Sequence, residues 1–229
     1  MIMEESIQYR GYTIKIEQDD FPMNPRKDWD HGTTIYSRSK LIENESDYLF
    51  SYDGPDMLES KKELLFNVPM YAILPLYCAE GRHNIYSIST EFEVSRQIGW
   101  IYITQDDFHK MFYSSITEFQ QAHPGKSIGD YCRDILKSSI EVYEQYLNGE
   151  VYHYMIEDSN GVHVNSCGGW YGDDFDKSGI IKEAEAVIDH QIKRNLQQRY
   201  KHLKKYIKGK VSFIYRNLPD INHLSKINV

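Results

Sequence analysis

The sequence predicts an α+β fold: a mainly antiparallel sheet covered by helices, with a long amphipathic helix at the C-terminal end. Three observations carry this. Short runs rich in β-branched and aromatic residues recur at 7–17, 70–78, 83–89, 97–103 and 151–157. Apolar residues recur at steps of three and four over 128–147 and again over 179–208. The connections between the strands at 70–78, 83–89 and 97–103 are too short for parallel crossovers, which favours antiparallel neighbours there. The 229 residues contain no Gly/Ser or Pro-rich linker, so one domain is expected, with a body over 1–178 and a basic helix and tail over 179–229.

In chain order, Ile7, Tyr9, Tyr12, Ile14 and Ile16 alternate around Arg10-Gly11, which reads as a tight hairpin turn. The stretch Asn24-Pro25-Arg26-Lys27-Asp28-Trp29-Asp30-His31-Gly32-Thr33-Thr34 then leads into a strand at 33–38. An acidic surface loop is expected over 43–56, followed by a short helix over 56–66 capped by Asp56. In the strand at 70–78, Pro75 calls for an edge or a bulge. Glu80-Gly81-Arg82 turns into the 83–89 strand, and 97–103 is expected to pair with these two. Thr104 caps a helix ended by Pro124-Gly125, and Ser127 caps a longer one ended by Asn148-Gly149, with Asp130 at the capping-box position. Asp158-Ser159-Asn160-Gly161 joins two hairpin strands. Pairing Ser159 with Val162 would put His163 on the face of Ile156 and Tyr154. The last helix carries the stripe Ile181, Ala184, Ile188, Ile192, Leu196, Tyr200, Leu203 and Ile207.

Charge is unevenly divided. The net −8 splits into −17 over residues 1–189 and +9 over residues 190–229. Lys193, Arg194, Arg199, Lys201, Lys204, Lys205, Lys208 and Lys210 fall in one stretch without an acid, interleaved with Tyr200 and Tyr206 and followed by Phe213 and Tyr215. Macrodipole complementarity explains bases at a helix C-terminus but not eight of them. This pattern suits a phosphate backbone, with aromatic rings available for bases; the alternative is a solvated face that pairs with the acidic body in cis or in a homodimer. The 19 tyrosines suit half-buried sheet faces and contact surfaces.

Other chemistry is sparser. Asp28, Asp30 and His31 have the makings of a cation site or an acid/base set. The competing reading is a structured turn in which Pro25 fixes the bend, Trp29 anchors in the core, Asp30 caps amides and Gly32 takes an unusual dihedral. Cys167, with His153 or His163 as base, is a nucleophile candidate weighed against an inert thiol. Gly168, Gly169 and Gly172 precede a helix, but Asp173, Asp174 and Asp176 would repel a phosphate, so helix capping is expected there. Cys78, Cys132 and Cys167 have no metal-ligand spacing. No cofactor or metal is called for. Without a leader-like N-terminus or a spanning apolar run, a cytoplasmic protein with no membrane partner is expected.

Several segments taken together resemble an uncharacterised family of bacteriophage- and plasmid-encoded proteins. They are Asn24-Pro25-Arg26, Trp29-Asp30, Gly32-Thr33, Leu74-Pro75-Leu76-Tyr77, Gln97-Ile98-Gly99-Trp100-Ile101-Tyr102, Glu141 through Tyr152, and Gly169-Trp170-Tyr171-Gly172. Where that family carries Cys and His after the Gly-Thr, this chain has Thr34-Ile35-Tyr36. The resemblance implies a mobile-element setting and assigns no catalytic residues. The expected function is therefore an interaction protein that binds a host defence nucleoprotein or RNA/DNA, as an inhibitor of CRISPR or restriction would. The alternative is a metal-dependent hydrolase or nuclease using Asp28, Asp30 and His31.

Overall fold

The computed structural model describes residues 5–37, 48–49, 68–80, 86–91 and 96–211. Its strands are β1 (Glu5–Tyr9), β2 (Tyr12–Gln18), β3 (Thr34–Ser37), β4 (Tyr48–Leu49), β5 (Met70–Glu80), β6 (Tyr86–Ser89), β7 (Arg96–Thr104), β8 (Val151–Glu157) and β9 (His163–Tyr171). The helices are α1 (Gln105–Met111), α2 (Ile116–Ala122), α3 (Ile128–Leu147), α4 (Phe175–Ser178) and α5 (Ile180–Lys210). This is the α+β class expected, with one difference: the strands form two sheets, β1-β2-β8-β9 and β4-β3-β7-β5-β6. All pairings are antiparallel except β3 with β4.

The first sheet joins the N-terminal hairpin to the hairpin of β8 and β9. Its N-terminal hairpin turns at Arg10 (φ 49°) and Gly11 (φ 84°), two successive left-handed residues, the twist that a two-residue connection needs. Strand β2 then pairs with β8, with Ile14 opposite Ile156 and Ile16 opposite Tyr154. These four are buried against Phe175 of α4 and Ile180, Ala184 and Ile188 of α5. Alternation along β2 is the direct cause, since every second residue faces the helix.

The second sheet is covered by α3, whose Cys132, Leu136, Ile140 and Tyr143 are buried at steps of four, four and three. They meet Ile35, Leu76, Ile88, Ile101 and Ile103, while Phe108 of α1 and Phe119 of α2 close the same core. Burying each such aliphatic or aromatic side chain contributes about 1.5–3 kcal/mol. Pro75 sits opposite Trp100, and β6 pairs with β5 only from Tyr77 onward, beside a register shift. Pro75 therefore occupies a local edge, as its missing N–H requires. The expected pairing of three consecutive strands holds for β5–β6 and β5–β7, but β7 lies between β3 and β5 rather than beside β6.

Two local expectations are corrected. The single helix after Thr104 is two helices. Thr104 caps α1 by accepting from the Asp107 amide at 3.0 Å; α1 ends at Phe112, and Ser115 caps α2 by accepting from the Glu118 amide at 3.2 Å. The Cys167–Tyr171 run is part of strand β9, which absorbs Gly168 and Gly169 in a bulge opposite His153, where Gly169 takes φ 80°. A second irregularity puts His163 opposite Glu157, so His163 does not share the face of Ile156 and Tyr154. Ser127 caps α3 as expected: it accepts from the Asp130 amide at 3.0 Å while its hydroxyl donates to Asp130 Oδ2 at 2.6 Å. The helix expected over 56–66 and most of the 43–56 loop lie outside the described residues; within the latter, Tyr48–Leu49 is strand.

Candidate functional site

The 24–34 stretch is a self-contained turn. The Asn24 side chain accepts from the Arg26 amide at 2.8 Å, and its carbonyl accepts from the amides of Lys27 (3.1 Å) and Asp28 (2.8 Å). Asp28 closes the ring by accepting from the Asn24 amide at 2.6 Å. Arg26 is buried, with Nη1 donating to Thr33 Oγ1 at 2.7 Å and Nη2 to the Thr33 carbonyl at 3.1 Å. The His31 ring lies between the carbonyls of Thr33 and Arg26, each 2.9 Å from a ring nitrogen. A neutral imidazole can donate to one of them and only the imidazolium to both.

Of the three candidate residues, Asp28 and His31 are thus engaged with main chain, and Asp30 is exposed at the tip. Among the described residues no three His, Cys, Asp or Glu side chains are grouped so as to hold a metal ion. The roles inside the turn also differ from expectation. Asp28, not Asp30, holds the amide. Trp29 is 40% exposed and stands edge-to-face on Tyr171 at 5.1 Å instead of anchoring in the core. Gly32 has no left-handed dihedral; it is required because a Cβ would stand 2.6 Å from the Phe112 ring and 3.1 Å from Met111 Cβ.

Cys167 is exposed on the edge strand β9, opposite Tyr154. Its thiol donates weakly to the Gly168 carbonyl at 3.6 Å. His153 lies 3.8 Å from Glu17, and His163 stands at the far end of β9; the structure does not bring either together with the thiol. Cys132, buried in the core, is pushed up to about 11 by desolvation, as an inert thiol is. Asp174 caps α4 by accepting from the Lys177 amide at 3.0 Å, which is the capping role foreseen for the acidic run.

The basic stretch occupies the outer half of α5. That helix has 31 residues and runs about 46 Å. Ile180, Ala184 and Ile188 are fully buried, and Ile192 still touches the core. Asp189 marks the last anchored turn, accepting from Tyr9 Oη at 3.4 Å and pairing with Arg10 at 3.2 Å. Beyond Ile192 the helix leaves the body. All eight bases from Lys193 to Lys210 are exposed, and among the described residues none pairs with a carboxylate. At 100° per residue, Lys193, Arg194, Lys201, Lys204, Lys205 and Lys208 fall within an arc of about 120°. Tyr200 and Tyr206 lie outside it.

The sequence did not announce that the apolar stripe continues uncovered: Leu196 is 50%, Tyr200 43% and Leu203 57% exposed. The signal that could have found this is the coincidence of the acid-free basic run with the second half of the stripe. Also unforeseen is an apolar projection in the loop before Asn24, where Phe21 is 91% exposed and Met23 about half exposed. Tyr171 sits beneath that loop, donating to the Met23 carbonyl at 2.6 Å. Burial, helped by Tyr146, Asp19 and Asp28, pushes its hydroxyl up to about 12.

Phe213 and Tyr215 fall outside the described residues. No helix among those described is long and apolar enough to cross a membrane. Comparison of the chain with protein-family models, with curated proteins and with solved structures finds no match.

Proposed function

We propose that this protein is an interaction protein of a phage or plasmid that binds a host nucleoprotein or nucleic acid through the outer half of α5, inhibiting a defence system such as CRISPR or restriction. The observation that carries the binding part is the set of eight exposed bases, unpaired among the described residues, on a helix that leaves the body. A basic face that had no partner but solvent would gain nothing from being so free of acids. Six bases within one arc present a row of donors to a phosphate backbone, which such clusters recognise by counterion release. The setting rests on the family resemblance, and the acidic body adds a second surface of opposite sign for a basic protein groove.

The test is binding of labelled duplex DNA and RNA, and capture of nucleoprotein from a bacterial lysate with and without nuclease, by the wild type and by a variant carrying Lys201→Glu, Lys204→Glu, Lys205→Glu and Lys208→Glu. Loss of a salt-sensitive interaction in the variant is expected; binding that survives all four reversals would remove the proposal. The hydrolase alternative, resting on Asp28, Asp30 and His31, receives no support from the turn's geometry, because two of the three side chains hold main chain.

A further inference from the structure

Two exposed apolar surfaces of opposite charge lie at opposite ends of this molecule. The first is the uncovered stripe Leu196, Tyr200 and Leu203 on the outer half of α5. It is flanked by Lys193 and Lys204 on one side and by Arg199 and Lys210 on the other, following the 100° helical step. The second is the loop carrying Phe21, Met23 and Trp29, all exposed, among Asp19, Asp20, Asp28 and Asp30. Tyr171 ties this loop together through the Met23 carbonyl and the Trp29 ring.

They cannot meet within one chain. Helix α5 follows β9, whose last residue Tyr171 pairs with Val151, next to the Gln18–Tyr152 pair at the end of β2 from which the loop departs. It then runs along the sheet to the opposite end, where Asp189 meets Arg10 in the β1–β2 turn, and continues outward. The free half therefore points away from its own loop. Pairing of two stripes with each other is opposed by charge, since each is flanked by bases and no acid follows Asp189 in the helix. The acidic loop supplies both the missing sign and the exposed aromatic residues that anchor contacts.

We propose that the outer half of α5 seats on the 19–31 loop of a second copy, in a reciprocal antiparallel dimer. This goes beyond the nucleic-acid reading and shares with it only Lys193 and Lys204, the two bases at the edge of the arc nearest the stripe. The stripe and its flanking Lys193 and Lys204 face the partner copy, while Arg194, Lys201, Lys205 and Lys208 lie on the far side, open to phosphate. A two-fold arrangement makes the same contact twice, so the assembly closes.

The experiment is sedimentation of the full chain over a range of concentrations at low and high salt, for the wild type, a helix variant (Leu196→Glu with Leu203→Glu) and a loop variant (Phe21→Ser with Asp20→Lys). All four positions are exposed, so folding should survive, and circular dichroism checks it. Expected are a wild-type dimer weakened about tenfold or more by high salt, two monomeric variants, and association when the variants are mixed, because the mixture restores one of the two contacts. A wild type that stays monomeric overturns the proposal and leaves the stripe to another partner or to residues after 211. A loop variant that remains dimeric, or a mixture that does not associate, overturns it in favour of helix pairing.

Discussion

If the basic arc of α5 grips a phosphate backbone, its salt dependence follows from the number of bases that can reach one duplex. The arc holds Lys193, Arg194, Lys201, Lys204, Lys205 and Lys208, so about six counterions would be released and log K should fall with log salt at a slope of roughly −5. Raising salt fourfold, from about 50 to about 200 mM, should then weaken binding by about 10³. Neutralising Lys201, Lys204, Lys205 and Lys208 to Gln leaves Lys193 and Arg194, which predicts a slope near −2 and a loss of only about tenfold over the same interval. Fluorescence anisotropy with a short labelled duplex, titrated at four or five salt concentrations, measures both slopes. Replacing Tyr200 and Tyr206 with Leu should leave the slope alone and weaken single-stranded more than duplex binding, since stacking needs open bases. A wild-type slope near zero, or an unchanged slope after the four neutralisations, would refute the assignment of these bases to phosphate.

The remaining predictions concern the scaffold. Gly99→Ala should lower the melting temperature sharply and broaden the transition, because a Cβ there would stand 2.8 Å from Ser37 Cα and closer still to the Tyr36 carbonyl, forcing β3 off β7. Ser127→Ala removes the α3 cap and should cost about 1 kcal/mol in urea unfolding, with no effect on binding. Glu144, half-buried behind β6 and accepting from the Ile88 amide at 3.2 Å, is raised above its ordinary 4.5, mainly by desolvation. A raised carboxyl favours the fold while protonated and disfavours it as pH rises through the folded value. Glu144→Gln should therefore raise stability at neutral pH and change little below pH about 4; equal effects at both pH values would contradict the burial argument.

Local signals carried most of the secondary structure. Arg10-Gly11, Thr104, Ser127 and Asn148-Gly149 each act through backbone chemistry within a few residues, so the sequence states their roles directly. What the sequence could not state was sheet membership. The decisive pairing, Ile14 with Ile156 and Ile16 with Tyr154, joins residues about 140 apart, and no local pattern encodes which of two alternating strands will be neighbours. The His163 face failed for a smaller reason: Val164 is an extra residue between the Ile156–Asn165 and Glu157–His163 pairs, and an alternating strand does not announce where such a bulge falls. Gly32 and Gly99 show a third limit. Each reads as a turn glycine or a strand interruption, but each is present to let another segment approach, Phe112 in one case and β3 in the other.

The candidate site was legible in its charges and misleading in its stripe. Periodicity from Ile181 to Ile207 shows that one face of the helix is apolar, but a period carries no information about where the supporting surface ends. That end is set by the length of β8 and by the β1–β2 turn, whose Arg10 reaches the helix at Asp189. Three acids and one base, Lys182, lie in the helix up to that residue and only bases follow it, so the change of sign coincides with the departure from the body. A helix whose charge answered only to its own dipole would change sign gradually and would gain only from the last turn. Here the basic run begins about five turns before the C-terminus, far beyond the reach of that effect. The boundary in charge and the boundary in burial are therefore one feature: the inner half is chosen for the fold, and the outer half for whatever lies outside it.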